Sequence, residues 1–269
     1  MSVMETSAVD QSVHDMKEPN RSGDPTILGN AALRARLEPF DSYWQAPKDV
    51  EAGYSSFYAY YKANYLPHMP ENRQARILII SCGPGYLVNT LIKHGYTNVT
   101  GIDSNPEKIA HATSRGLNCE AAEAFPFLAS KTDVYDVIVP EQELNHLTLE
   151  EQFQFLRLCK ASLRLNGYVM VYGLNGANPM VGSENLSHNI DHFNTFTEYS
   201  LTQILELAGF SRIKTMPLKL YVFWKNPLNY AGLAVITLYE TYCRIMFKLY
   251  GKNVKILSKK LAAVAFRDI

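Results

Sequence analysis

The segment ILIISCGPGYL, residues 77–87, constrains this chain more than any other. Four apolar, mostly β-branched residues lead through Ser81 and Cys82 into two glycines separated by a proline, and the chain then turns apolar again. The apolar run has the length of a buried strand. Leu87, Leu91 and Ile92 recur at helical spacing before a glycine stop at Gly95, so the segment reads strand, tight turn, helix. Glycine suits such a turn because it lacks a Cβ, takes positive φ without strain and lets a ligand approach the backbone. Two glycines alone also fit an ordinary strand-to-helix turn.

The next element narrows the choice. In NVTGIDSNPEKIAHA a second short strand, 99–102, runs into Asp103 and Ser104. A helix start follows, with Asn105 as the cap and Pro106 in the first turn. An acid ending the second strand, about 20 residues past the glycine turn, is placed to accept both hydroxyls of a ribose, which points to a nucleoside ligand. A dinucleotide fingerprint needs a third glycine where this chain has Val88, and no GK[ST] sequence ends a phosphate loop, so NAD and ATP are disfavoured.

Strand, CGPG, helix, strand and GID together resemble the class I S-adenosylmethionine-dependent methyltransferases, whose first motif is commonly written D-x-G-x-G-x-G. Ile79 stands where the family has an acid that helps hold the methionine amino group, and Ser81 where it has the first glycine. The resemblance implies S-adenosylmethionine as cofactor, with Ser81, Gly83, Gly85, Asp103 and Ser104 around it. It extends over nearly the whole chain. LNCEAAEAFPFL resembles the third strand and the turn that sets Ala122 and Glu123 near the adenine. YDVIVPEQELNHLTLEEQ resembles the fourth strand, whose end adds Glu141 to the cofactor set, and the EHL segment, with Asn145 replacing the glutamate and His146 retained. LRLNGYVMVYGLNGANP resembles the LKPGG turn and fifth strand, with Asn166 where glycine is common. DHFNTFTEYSLTQILELAGF and LAAVAF resemble bacterial sugar and polysaccharide-type methyltransferases.

Alternating strands and helices predict an α/β fold: a doubly wound, mostly parallel sheet with helices on both faces. The resemblance adds an antiparallel last strand, seven in all. Thr148 and Glu151 form a capping box for a helix expected to run to about Leu165, and LTQILELAGF is an amphipathic helix closed by Gly209. Five regions follow: a disordered tail over 1–28, an aromatic helical lid over 29–75, an α/β core over 76–225, an apolar helical insertion over 226–258 and a final strand over 259–269. Tyr54, Phe57, Tyr58, Tyr61 and Tyr65 fall near helical spacing ahead of the first strand, in a helix ended by Pro67. They read as core packing, or as a lid in which Tyr58, Tyr61 or Tyr65 touches cofactor or acceptor, since aromatic faces attract a sulfonium.

The insertion NPLNYAGLAVITLYETYCRIMFKLYG is apolar on nearly every face but is interrupted by Glu240, Arg244 and Lys248, which argues against a membrane span. A helix of that kind is expected to be buried, over the acceptor pocket or in a homodimer interface. The lysines after it, Lys252, Lys255, Lys259 and Lys260, read as a solvated face. With 26 basic and 26 acidic residues the chain has no electrostatic footprint for nucleic acid. Four cysteines without CxxC or zinc spacing suit a reducing cytoplasm, and the N-terminus has acids and no apolar stretch of a signal peptide. Glu141, Glu143 and His146 lack further ligands for a metal.

Transfer to a hydroxyl needs a base poised near neutral pH, and histidine is the natural one. Of seven histidines, His146 lies just past the fourth strand, at the edge where open α/β sheets bind ligands; His188 and His192, with Asp191 as orienting partner, lie in a loop that reaches the same crevice. The expected activity is methylation of a small-molecule or saccharide acceptor, in natural product or polysaccharide biosynthesis, most simply at oxygen. Nitrogen methylation of an amino sugar and a catalytically silent partner protein are the alternatives. Work at a membrane surface on a lipid-linked acceptor is weaker still.

Overall fold

The computed structural model describes residues 47–141, 144–187, 192–220 and 227–268, so the expected tail, His188 and Asp191 lie outside the described residues. Seven strands form one sheet in the order β3-β2-β1-β4-β5-β7-β6. They are β1 (Ile77–Ile80), β2 (Val99–Asp103), β3 (Cys119–Ala121), β4 (Tyr135–Pro140), β5 (Leu163–Leu174), β6 (Ser211–Pro217) and β7 (Lys260–Phe266). The first five pair in parallel. Only β7 is antiparallel, to both β5 and β6, as the resemblance implied.

Side chains alternate across a strand, so β1 feeds two cores at once. Ile77 and Ile79 point to one layer with Tyr54 and Tyr61 of α1 (Pro47–Asn64), Leu87 and Leu91 of α2 (Tyr86–Lys93) and Ile109 of α3 (Pro106–Ser114). Leu78 and Ile80 point to the other, with Leu128 of α4 (Ala124–Ala129), Phe155 of α5 (Leu149–Ser162) and Leu201 of α7 (Glu198–Leu207). Between the last two lies the short α6 (Gly182–Ser187). Every residue of β1 is buried, which explains a continuous apolar run rather than an alternating one.

Local signals operate where the sequence placed them. Asn105 Oδ1 accepts from the backbone N–H of Glu107 and Lys108 at the start of α3, and Thr148 and Glu151 cap α5 reciprocally. That helix stops at Ser162 rather than near Leu165, because β5 claims the chain from Leu163. Asn166 then takes φ +63, a left-handed conformation that Asn tolerates, beside an irregularity in the β4–β5 register. Pro67 sits inside a short 3-10 turn, Leu66–His68, that follows the end of α1.

The insertion forms one long helix that a single copy of the chain covers only in part. α8 (Leu228–Leu249) buries Cys243, whereas Leu228, Val235, Leu238, Tyr242, Ile245 and Leu249 are exposed along one face. An all-round apolar helix can bury only the face its neighbours cover, and α8 takes no part in lining the cavity between α1 and the start of β7. No described helix is long and apolar enough to cross a membrane. All four cysteines are buried and unbridged.

Gly85 has φ +81, and a Cβ there would meet Leu117 Cδ1 at 2.8 Å and Ala112 Cβ at 3.3 Å. Gly85→Ala is therefore expected to lose about 2 kcal/mol of stability from backbone strain and overpacking. Urea unfolding checks this; an unchanged midpoint would show that the turn relaxes freely.

Candidate active site

The carboxyl ends of the parallel strands and the start of β7 share one edge of the sheet, and the candidate residues gather there. β1 ends in a turn whose Ser81, Gly83 and Gly85 all have positive φ, at 55, 54 and 81°. A Cβ on Gly83 would meet no atom within 4 Å, so this backbone faces open space while that of Gly85 faces the core. Asp103 ends β2 and is buried. Its Oδ2 accepts from Gly83 N at 2.8 Å and its Oδ1 from Asn105 N at 2.9 Å. A carboxylate offers about four acceptor positions, so each oxygen keeps one for a ligand hydroxyl. Ser104 beside it is exposed. Ala122, past β3, donates its N–H to Asp103 O at 3.0 Å, and the exposed Glu123 caps α4 by backbone alone.

Glu141 follows β4. Because Ile80 pairs with Pro140, Glu141 comes next to Ser81 across the strand pair, and its N–H donates to Ile80 O at 2.8 Å. Its side chain is 9% exposed and accepts from Tyr61 Oη at 3.1 Å. Burial raises its pKa to about 8, against the smaller opposing pulls of the Tyr61 hydrogen bond and Lys260. Ile79, where the resembling family has an acid, is wholly buried in the core. The buried carboxyl of this site thus stands at the end of the neighbouring strand.

The aromatic helix α1 lies over the glycine turn. Tyr54 donates its hydroxyl to Pro84 O, and Tyr86 donates to Val50 O at 3.2 Å. Phe57 stacks on Tyr86 with centroids 5.0 Å apart. Of the three tyrosines expected in a lid, only Tyr61 reaches the site. Tyr58 hydrogen-bonds and stacks on His94, and Tyr65 is core, 1% exposed.

The turn after β4 carries His146, and it is clamped from three sides. Asn145 Nδ2 donates to Asn194 O, Asn194 Nδ2 to Leu147 O, each at 2.7 Å, and Gln152 Nε2 to Leu144 O at 2.8 Å. Asn145, which replaces the family glutamate, therefore ties this turn to the loop before α7. The same clamp brings His192 to His146, with ring centroids 4.8 Å apart and planes at 62°. His192 Nδ1 lies 2.7 Å from Asn185 O. A carbonyl only accepts, so Nδ1 carries the proton and Nε2 is the nitrogen left to act as a base.

Sequence reasoning missed a cavity of about 590 Å³ between α1, residues 218–220 and the start of β7. Lys259 and Lys260, expected in a solvated face, line it with Lys219. Lys260 is half-buried, with Nζ 5.3 Å from the Tyr172 ring centroid. A lysine inside a strand beginning KLAAVAF was the available signal: its neighbours along the strand are buried, so only its place at the strand start decides where it points.

The residues fit a nucleoside sulfonium. Asp103 retains acceptor positions for hydroxyls, Gly83 leaves room for close approach, and Glu141 offers a buried carboxyl to a cationic group.

A family model described as "Methyltransferase domain" matches residues 54–215. No protein of curated function matches the sequence. Among solved structures, a SAM-dependent methyltransferase from Archaeoglobus fulgidus aligns with TM-score 0.55 at 18% identity, over 86% of this chain and 99% of its own. A SAM-dependent methyltransferase from Thermotoga maritima, described as a possible histamine N-methyltransferase, gives 0.57 at 14% identity over 88% and 99%. Haemonchus contortus phosphoethanolamine N-methyltransferase 2, in complex with phosphomonomethylethanolamine and S-adenosylhomocysteine, gives 0.55 at 13% identity over 87% and 61%. At such identities the likeness concerns the fold, and the seven-stranded order with one reversed strand agrees with it. The family match, which spans more than half of the chain and includes the glycine turn and the ribose-type acid, identifies the chain as a member of the methyltransferase-domain family, a class I S-adenosylmethionine-dependent methyltransferase.

Proposed function

We propose that this enzyme methylates a hydroxyl of a small-molecule or saccharide acceptor, with the His146–His192 pair taking the proton. The observation that carries this reading is the pairing itself: two imidazoles held edge to face by the Asn145–Asn194 clamp, with His192 oriented through Nδ1. S-adenosylmethionine supplies an electrophilic methyl on a sulfonium for in-line displacement. The chain's own part is to position the acceptor oxygen, exclude water and accept its proton at an imidazole nitrogen; most of the rate comes from positioning. Nitrogen methylation of an amino sugar asks less of a base and finds less support in so constrained a histidine pair.

Around the donor we assign Ser81, Gly83, Gly85, Asp103, Ser104, Ala122 and Glu123 to the nucleoside and Glu141 with Tyr61 to the methionine end. In this reading Glu141 takes the part that an acid at position 79 plays in the family. Its place beside Ser81, one strand over, supports that, as does its burial beneath α1. The exposed stripe on α8 supports self-association through that helix.

His146→Ala and His192→Ala are each expected to lower kcat by about 10²-fold or more. Affinity for S-adenosylhomocysteine should change less than threefold. Equal losses in turnover and affinity would remove the histidines from proton transfer. A separate expectation concerns Glu141. Its acid is neutral until about pH 8 in the free protein, and a cationic group binds only the ionised form. Affinity for S-adenosylhomocysteine, whose ammonium is cationic, should therefore rise as pH goes from 6 to 8 in the wild type. Glu141→Gln should bind more weakly and with that rise removed. Calorimetry over this range decides it, and matching pH profiles would exclude Glu141 from donor binding. For α8, Leu238→Glu should reduce the sedimentation coefficient from that of a dimer to that of a monomer; wild type already sedimenting as a monomer would end the self-association reading.

A further inference from the structure

We propose that the cavity between α1, residues 218–220 and the start of β7 is the acceptor pocket, and that it selects a small molecule carrying an anionic group, carboxylate or phosphate, on an apolar body. This rests on the methyltransferase reading above and adds to it the chemical class of the acceptor.

The cavity, about 590 Å³, is of the size that encloses a drug-sized ligand. Its apolar walls are Phe57 and Tyr60 of α1 facing Leu218 and Leu220. These suit a ring or short aliphatic body. The charged lining is one-sided: Lys219, Lys259 and Lys260 contribute three ammonium groups, and among the described residues no carboxylate lines the cavity. Among the described residues none of the three enters an ion pair; the bridges that form lie elsewhere, such as Arg115–Glu51.

Lys260 makes the case specific. Its ammonium is half-buried over the Tyr172 ring, and the nearest acid acting on it is Glu141, which burial keeps protonated near neutral pH. A cation drawn out of water without a counter-charge is costly, and an anion that reaches it gains charge-assisted hydrogen bonds. If the donor's cationic end ionises Glu141, that charge is matched by the donor, and the three lysines still leave the pocket positive.

The walls are also fixed before any ligand enters. Asn64, the last residue of α1, clamps the opposite wall: Lys219 N donates to Asn64 Oδ1 at 2.7 Å and Asn64 Nδ2 to Lys219 O at 3.1 Å. Leu218 N donates to Lys260 O at 3.1 Å. α1 is shared with the donor side, since Phe57 stacks on Tyr86, the first residue after the glycine turn. On the other side Lys260 pairs with Leu174, whose N–H donates to Asn145 Oδ1, the residue before His146. The cavity is therefore tied through α1 to the donor turn and through β7 and Leu174 to the histidine turn.

The test uses the full chain with S-adenosylhomocysteine, and benzoate, phenyl phosphate and benzyl alcohol as probes in calorimetry. Lys260→Met removes the charge, and Ser56→Phe, from the exposed side of α1, fills the cavity while keeping it. The expected result is that benzoate or phenyl phosphate binds the wild type at least tenfold more tightly than benzyl alcohol, and whichever binds tighter names the anion. Lys260→Met should weaken that probe at least tenfold and Ser56→Phe should abolish it, with S-adenosylhomocysteine affinity within twofold of wild type in Ser56→Phe and binding retained in Lys260→Met, where the lost charge acts on the donor only through the Glu141 carboxyl. Three results overturn the proposal: benzyl alcohol binding as well as the anions, no anion binding while S-adenosylhomocysteine binds, or Lys260→Met losing S-adenosylhomocysteine itself, which would give Lys260 to the donor's carboxylate. Wild type failing to bind S-adenosylhomocysteine would instead refute the donor-site reading, and the anion probes would still decide the pocket.

Discussion

Asp103 accepts the backbone N–H of Gly83, and through that bond the ends of two parallel strands hold one another in the geometry the site needs. Parallel strands joined by helices have no tight turn to fix their relative ends, so the loops that leave them must be held by other means. Here a carboxylate does so twice, taking Gly83 N with one oxygen and Asn105 N with the other. The bonds are charge-assisted and partly buried, hence stronger than a neutral pair. They set the left-handed turn over 81–85 and the start of α3 at once, while leaving acceptor capacity facing outward.

A second constraint is electrostatic and comes from burial. Glu141, Tyr61 and Lys260 meet beneath α1, where low polarity raises the carboxyl pKa and lowers that of the ammonium. Desolvation opposes both charges, so neither group settles the other, and both are available to a ligand that brings its own charge. Buried titratable groups in a cleft commonly mark a functional site, and this set borders both the donor turn and the cavity. The histidine pair differs. It is held by amide side chains and backbone carbonyls, so its geometry is fixed by neutral hydrogen bonds.

α1 links the two halves. It closes over the glycine turn through Tyr54 and Phe57, buries Glu141 through Tyr61 and anchors the far wall of the cavity through Asn64. Its aromatic density, which reads equally as core or lid, resolves by position. Successive residues along a helix and just past its end face different neighbours, so Tyr58 goes to His94, Tyr61 to Glu141 and Tyr65, which follows α1, to the core.

What was legible in the sequence was what local chemistry decides. The buried strand over 77–80, the left-handed glycines after it, Asn105 at a helix start and the Thr148–Glu151 box all follow from backbone freedom, capping and periodicity within a few residues. The position of Asp103 follows from a spacing that one βα unit enforces. The tertiary structure decided whatever depends on partners distant in the chain. Asn145 appears as a lost glutamate until Asn194 and Leu174 arrive beside it, and His192, already a candidate from its loop, meets His146 only through that clamp. The apolar insertion was expected to be buried, yet burial depends on what lies opposite, and α8 finds cover along one narrow face. Lys260 is last in a basic run, and its place in a cavity depends on β7 running backwards beside Leu174. Local rules govern conformation over a turn or two, whereas burial, charge and the making of a pocket depend on residues 30 to 200 positions away, which no short stretch of sequence contains.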